Sequence, residues 1–384
     1  MRDGASYDTV YICDWLPPDF GAVGQYSQLF ARQSAGGGES VALIGLTSGH
    51  RSDNCERHGT GHLRIIKVPV KRYDKVDRAA RLVWTVKANT KLLLEALPLI
   101  RKAHRVVFTG SPPLFLHWIA PTNLILRKKL VYRITDFHPE CAIAERGRPS
   151  LFLRCLLAVT LFWRRRVNDF EVLGHDQAAR LRDIGIPASR IHFKPDPAPV
   201  SIPSDTQPLG RPPEARGKTL LLYSGNWGVA HDHRTFIDSY ERHHRSGRGD
   251  VTIWLNAVGC GAESVEAALR TAHLPFIRST PVPLDQLARL LVTPDVHLIT
   301  LSDPFVGYVL PSKVHGCILS KQRVLFIGSQ ESDVHRLCSA QLGEHYNQVA
   351  VGDVERCAQI LDDLGTALAR HHPVAAAPQS ITAD

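Results

Sequence analysis

The sequence lacks the features of several protein classes. Its eight cysteines include no Cys-x-x-Cys pair, and their scatter predicts reduced, mostly buried thiols, with no disulfide framework or zinc site. No apolar run reaches the roughly 20 residues of a membrane-spanning helix, because the run at 151–163 is short and contains Arg154. The first eight residues are polar, and no signal-peptide pattern follows them. We therefore expect a cytoplasmic protein that holds no metal.

Acidic residues are also scarce, with 37 Asp and Glu against 46 Lys and Arg and a formal net charge of +9. This excess predicts an acidic partner, which is a nucleic acid, an anionic membrane or a phosphorylated substrate. Nucleic acid is the least expected of these, because no known binding module interleaves the basic residues with aromatic ones.

Two basic clusters, at 127–129 and 164–166, each follow an apolar helical stretch. Large apolar residues near them would suit a patch on anionic lipid headgroups at the inner face of a membrane. These residues are Phe115, Trp118, Phe152, Phe162 and Trp163. The alternative is that the arginines simply end helices that pack on a sheet, where the helix dipole favours cations.

Strand and helix patterns alternate along the chain. With 384 residues, of which 44% are hydrophobic, the chain can form two domains with separate cores. The alternation predicts two doubly wound α/β domains, each Rossmann-like with a mainly parallel sheet. The predicted strands lie at residues 9–14, 41–46, 63–68, 106–109, 130–135, 170–173, 220–223, 251–255, 276–278, 296–301, 324–327 and 348–351.

Proline-rich sequence separates the two halves. An N-terminal domain is predicted at 1–198 and a linker at 199–217, where periodicity is lost. A C-terminal domain is predicted at 218–372, and its last helix is expected to pack back on the first domain. The tail at 373–384 is rich in Ala, Pro and Ser and is expected to be disordered.

Two loops of the second half resemble phosphate sites. Pro311, Ser312 and Lys313 stand where a helix is predicted to begin, and helix N-termini with an added ammonium attract phosphate. A glycine turn at 224–228 follows an earlier strand, although such turns also occur for packing reasons alone. The two loops together point to a nucleotide-bearing ligand.

The first half contributes a glycine loop at 17–25, directly after the first strand. Its two glycines let the backbone approach a substrate closely. The loop lacks G-x-G-x-x-G spacing, which disfavours hydride transfer. The candidate contacts are Gly21, Ala22, Val23, Gly24 and Gln25.

Three ionisable residues, Asp136, His138 and Glu140, follow the strand at 130–135. Carboxylates and an imidazole at the carboxyl end of a strand can orient hydroxyls and shuttle protons. The alternative is a polar N-cap, in which Asp136 or Glu140 binds the first N–H groups of the next helix.

Taken together, these motifs resemble the GT-B glycosyltransferases, and more narrowly the family-four retaining enzymes that build bacterial polysaccharides. The resemblance spans nearly the whole chain, through residues 17–25, 136–140, 171–174, 223–228 with 231–232, and 311–313 running into 324–328. It implies two Rossmann-like domains that face a cleft. A nucleotide sugar would bind the C-terminal domain and a glycan or lipid-linked acceptor the N-terminal domain, with retained anomeric configuration and no metal or cofactor.

The resemblance also implies roles for individual residues. Lys313 would neutralise the leaving diphosphate, with Lys194 as a weaker candidate for the same task, while Asp136 and His138 would hold hydroxyls at the reacting centre. The implied donor-binding residues are Gly225, Asn226, Trp227, His231, Pro311, Ser312 and Lys313. The implied acceptor or sugar contacts are Gly21, Ala22, Val23, Gly24, Gln25 and Glu140.

The sequence departs from the family pattern in two places. Tyr308 and Gly316 stand where many members carry two glutamates, the second of which binds the nucleotide ribose. The Arg and Lys that often follow the second domain's first strand are missing, with Asn226 and His231 nearby. These departures leave open a non-catalytic GT-B subunit that supports a partner transferase, and a nucleotide-sugar 2-epimerase. The donor base, the sugar and the acceptor are not determined by the sequence.

Overall fold

The computed structural model describes residues 6–19, 21–71, 78–246 and 249–369. These residues divide into two compact units. Unit 1 lies within Met1–Asp196 and includes the later segment Gly307–Leu310. Unit 2 contains Pro197–Val306 and the chain from Pro311 onward.

Unit 1 is built on an eight-stranded sheet of order β3-β4-β2-β1-β5-β6-β7-β8. Only the β3–β4 pair is antiparallel among the described strands of this sheet. The strands are β1 (Tyr7–Trp15), β2 (Ser40–Thr47), β3 (Ser52–His58), β4 (Gly61–Pro69), β5 (Ala103–Thr109), β6 (Lys129–Ile134), β7 (Asp169–Val172) and β8 (Ile191–Phe193). The helices are α1 (Ala22–Gly36), α2 (Arg78–Arg101), α3 (Leu116–Leu126), α4 (Glu140–Arg146), α5 (Leu151–Arg164) and α6 (His175–Asp183).

Alternate residues of the central strands serve two separate cores. In β1, Val10 and Ile12 join the larger core, while Tyr11 and Cys13 join the core beneath α1. A strand covered on both faces must be apolar at nearly every position, which is why β1 and β2 read as continuous hydrophobic runs.

Unit 2 has a parallel six-stranded sheet of order β11-β10-β9-β12-β13-β14. The strands are β9 (Thr219–Asn226), β10 (Val251–Val258), β11 (Phe276–Ser279), β12 (Val296–Thr300), β13 (Arg323–Ile327) and β14 (Tyr346–Val349). The helices are α7 (Arg234–Arg245), α8 (Cys260–Thr271), α9 (Leu287–Leu291), α10 (Lys313–Leu319), α11 (Asp333–Leu342) and α12 (Val354–Ala369). The predicted doubly wound α/β class is confirmed. No helix in the described ranges is both long and apolar enough to cross a membrane.

The proline-rich segment before β9 belongs to unit 2 and packs against it. A short 3-10 turn at Pro213–Ala215 buries Ala215 beside Leu220 and Leu222, and Arg211 forms a 2.5 Å ion pair with Asp295. These contacts fix the entry of the chain into β9.

The last helix, α12, contributes to the unit 2 core through Cys357, Ile360, Leu361 and Leu364. That it packs on the first domain stays a prediction. The predicted tail at 373–384 lies outside the described residues.

Candidate active site

In unit 2, Lys313 is the first residue of α10, as predicted. Its Nζ is buried and has no hydrogen-bond partner among the described residues. The ammonium instead lies 3.1 Å from the centroid of the Tyr223 ring, whose face attracts cations. Tyr223 comes from β9, and Lys313 begins the helix that follows β12, on the side of the parallel sheet where the strands end.

Burial lowers the pKa of Lys313 to about 7, because the charged form loses its hydration. The pKa of the neighbouring His231 falls to about 4, first by burial and then by the charge of Lys313. Burial raises the pKa of the Cys317 thiol to about 12 and that of the Tyr223 phenol well above its usual range. Within this cluster, Lys313 is therefore the group that changes charge near neutral pH.

Burial of Lys313 makes the stability of unit 2 depend on pH. Its pKa is lowered from 10.5 to about 7 in the folded chain, so between these values the unfolded chain binds the extra proton. The free energy of unfolding should thus rise with pH in this window, by up to about 1.4 kcal/mol per unit. Urea denaturation from pH 7 to 10, compared with Lys313→Met, isolates this contribution. Parallel pH profiles for the two proteins would mean that the amine is solvated.

His231 is held beside the lysine by a hydrogen bond of 2.6 Å between its Nδ1 and the carbonyl oxygen of Thr300, at the end of β12. Since a carbonyl only accepts, Nδ1 carries the proton. Helix α7 begins at Arg234. His231 lies in the preceding loop, where its ring meets Tyr223 edge-on at 6.4 Å.

The predicted glycine turn at 224–228 is partly strand. β9 continues to Asn226, and Gly225 and Asn226 pair with Ala257 and Val258 of β10. Gly225 has φ +103°, a backbone conformation that disfavours any side chain. The loop after β10 lies close by, because a Cβ on Gly259 would come 2.4 Å from Asn226 Oδ1.

Trp227 is fully buried and stacks on Tyr223 with ring centroids 3.6 Å apart. Its indole Nε1 donates to the carbonyl of Asp232 at 3.3 Å. Trp227 therefore packs against the Tyr223 ring that the Lys313 ammonium contacts. Pro311 is buried, Ser312 is half-buried, and Asn226 is exposed at the end of β9.

In unit 1, Asp136 follows β6 and Asp14 lies near the end of β1, with β5 between these two strands. Asp14 Oδ2 accepts a 2.6 Å hydrogen bond from the Ser111 hydroxyl. Its Oδ1 is buried and has no partner in the described part of the chain. Sequence reasoning missed Asp14, although an aspartate at the end of an apolar strand is the same pattern that drew attention to Asp136.

Burial raises the pKa of Asp14 to about 6 and that of Asp136 to about 6, and the negative charge of Asp14 adds to the shift at Asp136. Two coupled carboxyl groups that titrate just below neutral pH can accept a proton from a hydroxyl and release it again. A third carboxylate, Asp196, adds to the shift at Asp136, and its own charge is compensated by a 2.6 Å ion pair with Arg133.

Lys194, the weaker phosphate candidate, forms a 3.0 Å ion pair with Glu171 in unit 1. Its ammonium also lies 4.6 Å from the centroid of the Phe30 ring. Arg133 reaches the same glutamate at 3.4 Å. The charge of Lys194 is thus partly neutralised inside this unit.

Glu140 forms a two-pronged ion pair with Arg164 of α5, and both side chains are buried. One of the contacts, between Nη2 and Oε2, measures 3.0 Å. The same Nη2 donates to the His138 carbonyl at 3.1 Å, so Arg164 fastens the loop that follows β6. His138 itself is half-buried. The geometry places the Glu140 carboxylate inside unit 1, away from solvent.

Replacing Glu140 with glutamine should destabilise unit 1 by about 3–5 kcal/mol, because the Arg164 charge would stay buried without its counterion. Chemical denaturation measures the loss. The matched control is Glu145→Gln in the same helix, since Glu145 is exposed and its loss should be nearly neutral. A Glu140→Gln variant of normal stability with weakened acceptor binding would instead make this carboxylate a substrate ligand.

The glycine loop of unit 1 leads into α1 with Gly21 as its N-cap. A Cβ on Gly24 would lie 1.9 Å from the Trp15 carbonyl oxygen, so glycine is required for α1 to approach β1. Val23 packs against the core beneath α1, Ala22 is exposed and Gln25 is half-buried. This geometry gives Gly24 a packing role.

A pocket of about 480 Å³ lies beside this loop in unit 1. Asp19 lies in its wall and accepts hydrogen bonds from the Thr47 hydroxyl at 2.8 Å and the Ser48 amide at 3.0 Å. Lys67 bonds to the Pro17 carbonyl at 2.5 Å. The lining residues are Pro18, Asp19, Thr47, Ser48, Gly49, His50, Ser52 and Lys67. Such a polar lining suits a hydroxylated ligand.

The two positions at which glutamates were expected have other contacts. Tyr308 belongs to unit 1, where its ring lies 5.7 Å from Phe137 and beneath the guanidinium of Arg180 at 4.7 Å. Gly316 is buried in α10, and a Cβ there would come 3.1 Å from a Leu291 methyl group. Larger side chains at residue 316 would need Leu291 to move.

The chain is similar to known proteins in its fold and not in its sequence. No protein-family model matches the sequence, and no curated protein matches it either. Solved structures do match over almost the entire chain. The fold is that of the GT-B glycosyltransferases. The resemblance inferred from the sequence motifs is thereby confirmed at the level of fold.

Three of these structures illustrate the likeness. The E. coli trehalose-6-phosphate protein bound with UDP-2-fluoro glucose matches with a TM-score of 0.63 at 11% identity, covering 95% of this chain and 92% of the other. WaaG, a glycosyltransferase involved in lipopolysaccharide biosynthesis, matches at 0.58 with 16% identity, covering 95% and 94%. Anabaena Alr3699/HepE in complex with UDP and glucose matches at 0.60 with 10% identity, covering 95% of each chain.

Proposed function

We propose that the chain is a glycosyltransferase that moves a sugar from a nucleotide-sugar donor to a hydroxyl of a glycan or lipid-linked acceptor. The observation that carries the proposal is the Lys313 ammonium, which is buried against Tyr223 and has no hydrogen-bond partner in the described part of the chain. Ligands of doubly wound domains bind at the carboxyl ends of the strands. The GT-B fold and the nucleotide ligands named for two of the matching structures support the same assignment.

Lys313 would act on the leaving group. As the bond between the anomeric carbon and the diphosphate oxygen breaks, negative charge grows on that oxygen, and a fixed ammonium at low dielectric stabilises it. Because the amine has a pKa of about 7, a bound diphosphate would hold it protonated. This places on a lysine the charge that metal-dependent transferases take from a divalent cation, so the reaction should not need Mg²⁺.

Unit 1 would hold the acceptor. Its polar pocket of about 480 Å³ can accommodate a hydroxylated ligand, and Asp136 can take the proton that the attacking hydroxyl loses. Retention of the anomeric configuration is proposed from the resemblance to the family-four enzymes. His138 would orient a sugar hydroxyl beside Asp136.

A second candidate function is a non-catalytic GT-B subunit that supports a partner transferase. The observation that favours it is the absence of both expected carboxylates, since Tyr308 contacts Phe137 and Gly316 fits closely against Leu291. In this case the donor would still bind at Lys313 but would not be turned over.

Release of nucleoside diphosphate distinguishes the two candidates. The purified chain would be incubated with UDP-, GDP-, ADP- and dTDP-sugars in excess EDTA, and the freed diphosphate and sugar would be measured. A transferase should release one diphosphate slowly by hydrolysis and faster with a hydroxyl acceptor, and the sugar anomer would report the stereochemistry. Binding of a donor without any release would support the non-catalytic subunit.

A further inference from the structure

Helix α5 presents apolar side chains to water. Phe152, Val159 and Phe162 are respectively 65%, 47% and 45% exposed, and they follow one side of the helix together with Leu151 at its start. A helix on the surface of a soluble protein usually turns polar residues outward. The outer side of α5 is therefore apolar where a polar surface is expected.

The opposite side of α5 fixes this orientation. Leu153, Thr160 and Arg164 are buried, and Arg164 forms the two-pronged ion pair with Glu140. The Thr160 hydroxyl lies 3.0 Å from His117 Nε2 of α3, which joins the two helices. The apolar stripe cannot turn inward without breaking these contacts.

Helix α3, which packs against α5, also exposes apolar side chains. Leu124 is exposed near its end, and Ile125 is 84% exposed. The chain then leaves the helix through Arg127 in a left-handed conformation. We call the outward residues of both helices the α3–α5 face, which comprises Leu124, Ile125, Leu151, Phe152, Val159 and Phe162.

Helix α5 and the residues directly after it also carry exposed arginines. Arg154, Arg165 and Arg166 are exposed, and the Arg166 guanidinium lies 3.4 Å from the centroid of the Phe162 ring. Neither 116–129 nor 151–166 contains an acidic residue. Apolar side chains that insert at a headgroup boundary, next to arginines that bind phosphate, are the combination that anionic bilayers attract.

We propose that the α3–α5 face docks on an anionic phospholipid surface. The aromatic and aliphatic side chains enter the interface while the arginines remain at the headgroups. The proposal does not depend on the proposed transferase activity, although a lipid-linked acceptor would be presented at such a surface. The lack of acidic residues in both segments argues for lipid over a second copy of the chain, since two like faces would repel.

Vesicle cosedimentation tests the proposal. The full chain should bind vesicles containing about one third phosphatidylglycerol in phosphatidylcholine, and bind pure phosphatidylcholine at least about tenfold more weakly. Raising the salt concentration should weaken binding, because screening reduces attraction between exposed charges. Equal binding to both vesicle types, or no binding, would overturn the proposal.

Matched variants locate the surface. The double variant Phe152→Ser with Phe162→Ser should lose binding at least about tenfold without a change in melting temperature, because both rings are exposed. Arg154→Glu with Arg166→Glu should lose binding to the anionic vesicles. The control is Leu284→Ser in unit 2, which removes an equally exposed apolar side chain. If Leu284→Ser has the same effect, or if the phenylalanine variant changes only the oligomeric state, the face is not a lipid site.

Discussion

Lys313→Met is expected to weaken binding of a nucleoside diphosphate at least about a hundredfold. Methionine keeps much of the length and apolar contact of the lysine stem but cannot carry charge. The ammonium has no competing hydrogen bond to give up among the described residues, so a diphosphate gains its full attraction. Isothermal titration calorimetry of the wild-type chain and the variant measures the change.

The control for this variant is Lys321→Met, which removes an exposed lysine just beyond α10. The affinity of Lys321→Met for the diphosphate should stay within about threefold of the wild type, because exposed charges contribute little. If Lys313→Met bound the diphosphate normally, or if both variants lost the same affinity, Lys313 would have no part in the phosphate site.

The affinity should also depend on pH through the same amine. Free Lys313 has a pKa of about 7, and a bound diphosphate raises it. Binding then takes up a proton above pH 7, so affinity should fall by up to about tenfold per pH unit from there toward the pKa of the complex. Lys313→Met should lack this dependence.

Asp136→Asn is expected to lower turnover by about 10²–10⁴-fold, while diphosphate binding in unit 2 stays unchanged. Asparagine has nearly the same volume, and the backbone bridge between Asp136 and Val309 does not involve the side chain. The asparagine side chain differs mainly in that it cannot accept a proton from the attacking hydroxyl. Turnover of the donor found active in the diphosphate-release assay measures the effect.

Two further variants serve as a control for Asp136→Asn and as a second test of the Asp136 carboxylate. Asp183→Asn removes an exposed aspartate of the same unit and should leave turnover unchanged. Asp14→Asn should move the acid limb of the pH–rate profile to lower pH, because the nearby negative charge that raises the Asp136 pKa is removed. Normal turnover in Asp136→Asn would exclude it as the base.

Sequence pattern predicted twelve of the fourteen strands found in the described ranges, because parallel strands covered on both faces are apolar throughout. It missed β3, Ser52–His58, whose polar residues pair only as an antiparallel edge, and β8, which has three residues. Both strands lie at edges of the sheet and expose most of their side chains, so neither forms a continuous apolar run.

Individual site residues were harder to predict than the fold. The position of Lys313 at a helix start follows from local pattern, but its burial over Tyr223 depends on how α10 packs against a strand ninety residues earlier. Glu140 looked like a sugar ligand because its partner, Arg164, is distant in sequence. Trp227 was expected in a glycine turn as a donor-binding residue, and it is stacked on Tyr223 in the core. Each of these depends on tertiary contacts that no local spacing encodes.

The most direct test of the nucleotide site is the melting temperature of the chain with UDP, GDP, ADP, CMP and TDP, each with Mg²⁺ and with EDTA. A ligand that binds the folded chain raises its melting temperature by an amount that grows with the logarithm of the ratio of its concentration to the dissociation constant. A metal-independent diphosphate site at Lys313 predicts a rise with one nucleoside diphosphate that is equal in Mg²⁺ and EDTA and absent in Lys313→Met. No rise with any nucleotide, or a rise that survives in Lys313→Met, would contradict it.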